Sequence, residues 1–301
     1  MSKSIKPLQS EKFMKAVLEY MEPFQGTHNY QPIINGHLEK TEQIEAGYGR
    51  WLQNLLTYLV QQFNLGKQPR ILDLGCGTGE LVVRMNVLGF EATGIDLHEK
   101  HLELARILAK ENSLPDTLFV LNKSNRLPFE DNSFDVITLF SVLEHLSDAT
   151  LKWLLPELKR ICWGVMYVLV PNRLKITDDH TRLHFVPWMP HWLATLYVKS
   201  RGHKHRYFIS ESSTWDVYHR GYGRVVSLFQ NYGFSVKFPP DKVIYPLLEQ
   251  CPPIFQIGGN LRLCKKKFFV GVPLPYNAII KLGYPKQAFY PYFNLIFVPP
   301  K

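Results

Sequence analysis

A chain of 301 residues with 46% hydrophobic and 13% aromatic content can bury a full core, as one large domain or two modest ones. That excludes a disordered or fibrous protein. Its formal net charge of +9 is uneven, −4 over residues 70–171 and +11 over residues 199–301, so the basic character belongs to the C-terminal third. The four cysteines, Cys76, Cys162, Cys251 and Cys264, are widely spaced, with no C-x-x-C pair and no Cys/His ligand spacing. Neither a disulfide framework nor a zinc site is indicated, and a reducing cytoplasm is the expected compartment. The N-terminus has lysines but no continuous apolar segment of the signal-peptide kind. Nowhere is there an uninterrupted apolar stretch of the roughly 20 residues that a spanning helix needs.

In chain order, residues 11–24 and 48–64 carry apolar side chains at helical spacing and predict an N-terminal helical cover over residues 1–66. From residue 70, short β-branched runs alternate with helix-like segments. Strands are expected at 70–75, 91–96, 117–123, 134–141, 164–170, 234–238 and 293–299, with helices near 80–88, 98–111, 148–161 and 222–232. This is the pattern of an α/β protein with a doubly wound, seven-stranded, mostly parallel sheet, Rossmann-like in class. Gly89 and Gly233 fall where a left-handed residue ends a helix, and Asp148 is placed to cap one. Residues 67–301 thus form one domain, with insertions at about 172–221 and 239–292 that break the alternation.

The most informative stretch is ILDLGCGTGE (71–80), a buried strand running into Gly75-x-Gly77-x-Gly79 and then a helix. Such a turn lets backbone approach a ligand closely. A dinucleotide fold needs G-x-G-x-x-G, and its third glycine is here Glu80. Asp73 precedes the loop, and Asp96 ends the second strand where a carboxylate can accept both hydroxyls of a ribose. Residues 127–146, LPFEDNSFDVITLFSVLEHL, bring apolar and polar groups to the same sheet edge.

Together these motifs resemble the class I S-adenosylmethionine-dependent methyltransferases, in the small-molecule branch that carries E/D-x-G-x-G-x-G and L-P-F-x-D-x-S-F-D. The resemblance covers residues 45–172 well, and 222–238 and the last strand more loosely. It implies S-adenosyl-L-methionine as cofactor, with Asp73, Gly75, Cys76, Gly77 and Gly79 by the methionine moiety, Asp96 on the ribose, Leu97 on the adenine, and Phe140 bounding the site. Members commonly carry an acidic residue four places before L-P-F; this chain has Lys123, so Ser124 or Asn125 is expected to accept the adenine amino group instead.

In a parallel sheet the reacting atoms gather beyond the carboxyl ends of the strands. After the fourth strand come Glu144 and His145. Their position resembles the E-x-x-E-H of ubiquinone-pathway O-methyltransferases, which hold a divalent cation there, but Ser141 replaces the first glutamate and no metal is expected. After the fifth strand comes DDHTRLHF (178–185). A histidine oriented by a carboxylate is a suitable base near neutral pH, which makes His180, His184 and Asp179 the catalytic candidates, with His145 behind them.

Residues 183–198 contain no Lys, Arg, Asp or Glu yet carry Trp188, Trp192 and Tyr197, and Lys199, Arg201, Lys204 and Arg206 follow at once. A unit of this kind suits either a lid whose aromatic residues pack onto the sheet with solvated lysines outside or a membrane interface, and KKKFFVGVPLPY (265–276) repeats it. The expected reaction is O-methylation of a hydroxylated acceptor, a small molecule or one linked to a lipid or glycan, at peripheral contact with a membrane. C-methylation of a quinone-like ring, a non-catalytic cofactor-binding scaffold and RNA methylation are the alternatives. Against nucleic acid, Phe140-Ser141-Val142-Leu143 is not the Asn/Asp-Pro-Pro-aromatic tetrad of amino-methylating nucleic-acid enzymes.

Overall fold

The computed structural model describes residues 6–42, 48–205, 215–241, 243–244, 285–290 and 292–300. Cys251, Cys264, Arg206, residues 265–276 and most of the insertion at 239–292 lie outside the described residues. Seven strands form one sheet: β1 (Arg70–Leu74), β2 (Glu91–Asp96), β3 (Phe119–Leu121), β4 (Phe134–Phe140), β5 (Cys162–Pro171), β6 (Ser235–Lys237) and β7 (Tyr292–Val298). Their spatial order is β3-β2-β1-β4-β5-β7-β6. The pairs from β3 through β5 are parallel, whereas β7 runs antiparallel to both β5 and β6. The chain reverses its direction of winding between β1 and β4, and ligands of open α/β sheets bind at such a switch point.

The helices are α1 (Glu11–Met21), α2 (Tyr30–Glu42), α3 (Tyr48–Phe63), α4 (Glu80–Val87), α5 (Glu99–Glu111), α6 (Asp148–Ile161), α7 (His191–Ser200) and α8 (Tyr222–Gln230). One sheet face buries Ile71, Val136, Val165 and Tyr167 under α1, α3, α4 and α5; the other buries Leu72, Ile137, Met166 and Phe297 under α6 and α8. Burial of both faces explains why the strands read as apolar runs rather than as alternations.

Two expectations are corrected. Asp148 does not cap α6: Ser147 does, its Oγ accepting from Thr150 N at 3.0 Å, while Asp148 is the first helical residue and pairs with Arg220 and Arg224. Helices α2 and α7 are additional to the sequence reading. Pro32 and Gly36 weaken the helical signal of α2, and tertiary contacts override it. The buried Arg84 of α4 donates to Lys6 O at 2.6 Å, Lys40 O at 3.1 Å and Thr41 O at 2.9 Å, binding the last turn of α2 and the start of the chain to the sheet layer. Burial lowers this guanidinium's pKa to about 10, which leaves it charged at neutral pH.

Replacing Arg84 by Met keeps the apolar volume but leaves three carbonyls without their donor. Arg84→Met is expected to destabilise the protein by about 3 kcal/mol, read as a lowered urea midpoint.

Candidate functional site

The turn after β1 sets the geometry. Gly75 has φ +68°, and a Cβ there would stand 2.7 Å from a methyl of Val142, so only glycine lets the β1 turn and the loop after β4 approach this closely. Gly77 has φ +53° with open space where its Cβ would be, the room a backbone cradle leaves for a ligand. Its N–H donates to Asp96 Oδ2 at 2.9 Å, while Asp96 Oδ1 accepts from His98 N at 2.9 Å. Asp96 thereby fixes both the glycine turn and the start of α5.

Glu80, the residue that departs from the dinucleotide pattern, is buried at the first turn of α4. It accepts from Thr78 Oγ1 at 2.7 Å, and His37 Nδ1 lies 2.5 Å from its other oxygen. Burial alone would raise its pKa; Lys40 and His37 reverse that and hold it well below the usual range. Asp73, buried at the β1 end, accepts from Thr138 Oγ1 at 2.7 Å and is pushed up by desolvation to about 7. Cys76 is buried, Leu97 is exposed at the tip of β2, and Phe140 packs edge-on to Trp51. Ser124 lies exposed after β3, its hydroxyl donating to Arg126 O at 2.6 Å, and Asn125 is exposed beside it.

Beyond β4 and β5, the four histidine and carboxylate candidates part company. His180 stacks edge-on to His145 at 4.9 Å, and burial lowers its pKa to about 4. His145 is lowered too, again by burial. Glu144, His145 and His180 each bring a ligand atom to within 4.8 Å of the others. His180 thus joins the Glu144–His145 pair in space, and a Glu/His/His set is chemically suited to a divalent cation. His184 is exposed and does not join this cluster; its Nδ1 lies 2.8 Å from Thr177 Oγ1. Asp179 is engaged in an ion pair with Lys175 and accepts from Tyr292 OH at 2.6 Å, tying the loop to β7.

A further histidine, outside the predicted candidates, stands beside a carboxylate. His219 Nε2 lies 3.1 Å from Asp178 Oδ1, within ion-pair range though off the line of an ideal hydrogen bond. Asp178 is buried and also accepts from Thr181 N at 2.6 Å and Thr181 Oγ1 at 2.7 Å. Desolvation would raise Asp178, but His219, His180 and Thr181 together hold it well below the carboxylate range. His219 also lines a cavity of about 390 Å³ with His191, Tyr218, Arg173, Arg220 and Arg224. No motif marks His219 in the sequence; only the return of the chain from the insertion to the strand ends places it there.

A seven-stranded sheet of this order, with a glycine turn after β1 and a carboxylate closing β2, is a framework that binds ligands beyond the carboxyl ends of its strands. Residues 71–163 match the family described as "Methyltransferase domain". A protein of Geobacillus sp. (strain WCH70) described as a methyltransferase is 38% identical over 96 residues, covering 32% of this chain and 38% of its own length. The demethylmenaquinone methyltransferase of Thermotoga maritima is 28% identical over 178 residues, covering 57% of this chain and 72% of its own. A ubiquinone biosynthesis O-methyltransferase of Pelagibacter ubique is 28% identical over 179 residues, covering 56% and 67%. The chain therefore spans little more than a third of the first relative and about two thirds of the others. It carries a class I S-adenosylmethionine-dependent methyltransferase domain.

Glu144 supplies a test of this electrostatic description. It is buried, its Oε2 has no hydrogen-bond partner among the described residues, and desolvation raises its pKa from 4.5 to about 8, with Asp179 adding to the rise and Lys175 and Arg220 opposing it. A carboxyl whose folded pKa is raised loses stability as pH rises from its unfolded pKa to its folded one. In chelator, Glu144→Gln is accordingly expected to gain stability over wild type progressively between about pH 4.5 and 8 and no further above. Urea titrations across that range measure the difference.

Proposed function

We propose that the protein is a cytoplasmic O-methyltransferase that acts on a hydroxylated acceptor, either free or carried on a lipid or glycan. Bound at the strand ends, S-adenosylmethionine would supply an electrophilic methyl group. The residues present fit it: open space at Gly77 gives the backbone cradle, Asp73 offers a carboxylate for the methionine end, and exposed Leu97 gives an apolar surface for adenine. Asp96 would accept the ribose hydroxyls, Cys76 and Phe140 would bound the pocket, and Ser124 and Asn125 would meet the adenine edge in place of the missing acid.

The observation that carries the acceptor reading is His219, which lines the cavity and stands against the buried Asp178. An alcohol must lose its proton as its oxygen takes the methyl, and a positioned imidazole contributes to such a step. The Nδ1 of His219 is buried and has no hydrogen-bond partner among the described residues, and it is the atom assigned to accept that proton, with Asp178 beside Nε2 to stabilise the imidazolium. His180 and Asp179 shape the field around the pair. Similarity to a demethylmenaquinone methyltransferase supports a second reading, methylation of a quinone-like ring, which mass spectrometry of the product distinguishes.

Asp96→Ala is expected to weaken S-adenosylmethionine binding at least tenfold, about 1.4 kcal/mol, by calorimetry. Unchanged affinity would remove the ribose role. His219→Ala should lower turnover of the acceptor by roughly 10²- to 10⁴-fold with cofactor affinity nearly intact, whereas His184→Ala should leave turnover within about twofold. Full activity in His219→Ala would assign the proton to another group.

A further inference from the structure

Helix α7 is apolar on two sides. Ala194 and Val198 face inward, into a small core with Leu183, Val186, Trp215 and Val217. Outward, Trp192 is 66% exposed and Leu196 59% exposed, with Leu193 exposed between them. The turn before the helix adds Phe185 and Trp188, which touch edge-on at 5.5 Å and are both exposed, and Leu174 is exposed on the preceding loop. A helix that is hydrophobic all round is normally enclosed, and large exposed apolar patches mark interaction surfaces.

The charges around this face have one sign. Arg173, Arg182, Lys199, Arg201 and Lys204 are all exposed. The only carboxylates in residues 172–205 are Asp178, which is buried, and Asp179, which is paired with Lys175. Apolar rings surrounded by cations, with no exposed unpaired anion in the segment, complement an anionic lipid surface: the rings enter the headgroup boundary and the cations meet the phosphates. A second copy of this chain would bring the same cations into register with themselves, which disfavours self-association.

We propose that the Leu174–Lys204 segment docks the protein on an anionic bilayer, with Trp188, Trp192, Leu193 and Leu196 as the inserted face. Docking also orients the cavity. Met189, Pro190, His191 and Ala194 of this same segment line it, together with Arg173 and Arg224, so its mouth adjoins the lipid surface and it is placed to take an acceptor whose anionic head stays at the interface. Docking itself stands independently of the methyl-transfer reading. No helix among the described residues is long and apolar enough to cross a membrane.

Co-sedimentation with sucrose-loaded vesicles tests this on the full chain. Wild type is expected to pellet with vesicles of phosphatidylglycerol and phosphatidylcholine, and at least tenfold less with phosphatidylcholine alone. Trp188→Ser/Trp192→Ser and Lys199→Glu/Arg201→Glu/Lys204→Glu should each lose at least tenfold in binding while keeping the wild-type circular dichroism, since all five side chains are exposed. Wild type remaining in the supernatant at low salt would overturn the proposal. So would unchanged pelleting of the tryptophan variant, or a wild-type dimer that this variant converts to monomer without any vesicle binding. Cofactor affinity measured on the same samples keeps a failure of docking separate from a failure of the methyltransferase reading.

Discussion

The loops beyond β4 and β5, where the acceptor is proposed to bind, depend on the Arg220 guanidinium. It is buried and donates to Leu143 O at 2.9 Å, Leu146 O at 2.7 Å and Asp148 Oδ1 at 2.8 Å, while the Arg220 carbonyl accepts from Arg173 N at 3.1 Å. One residue thus joins the loop after β4, the loop after β5 and the lead into α8. A buried cation is tolerable only when paired and hydrogen-bonded, and here the satisfying carbonyls belong to the loop after β4, 77 and 74 residues from Arg220 in sequence. Tyr218 N adds a 2.6 Å bond to Glu144 O. With those segments pinned, His219 lies against Asp178, and the cavity opens between His219 and α7.

The two ends of the site follow different electrostatic logic. At the cofactor end, Glu80 is kept ionised by Lys40 and His37, while Asp73 sits near neutrality because desolvation outweighs its hydrogen bond from Thr138. A cationic ligand arriving there would meet one fixed anion and one that gains charge on demand. At the acceptor end, burial lowers His145 and His180 and raises Glu144, leaving a cluster of largely uncharged donors and acceptors. Neutral groups of this kind suit proton handling or ligation. The strong charge is reserved for the Asp178 carboxylate and for the arginines at the cavity rim.

The sheet is legible in the sequence because its strands are buried on both faces and its glycine turn has few other uses. All seven strands fall where their β-branched runs lie, and Gly89 adopts the left-handed φ of +91° expected past a helix end. Helix α7 is not legible, because apolar residues facing both the core and the surface erase the 3.6-residue period. Helix α2 is hidden by Pro32 and Gly36 and is held by Arg84 and Glu80, which are distant in sequence. The loop DDHTRLHF stands at a strand end, as its position after the fifth strand implies, yet its residues take unequal parts: Asp178 is the buried anchor, Asp179 a latch to β7, His180 a cluster member and His184 a surface group. The partner of Asp178 arrives from residue 219, across an insertion whose path no local pattern encodes.

A crystal structure with S-adenosylhomocysteine bound tests the proposed function most directly, because that proposal requires the glycine turn and the His219 cavity to be two halves of one reaction site. The expected result is a thioether sulfur that points into the cavity past Val142. An acceptor oxygen placed about 3 to 3.5 Å from where the methyl would be, in line with the sulfur, would then lie within hydrogen-bond reach of His219. S-adenosylhomocysteine bound with its sulfur turned away from the cavity, or walled off from it by the loop after β4, would contradict that claim.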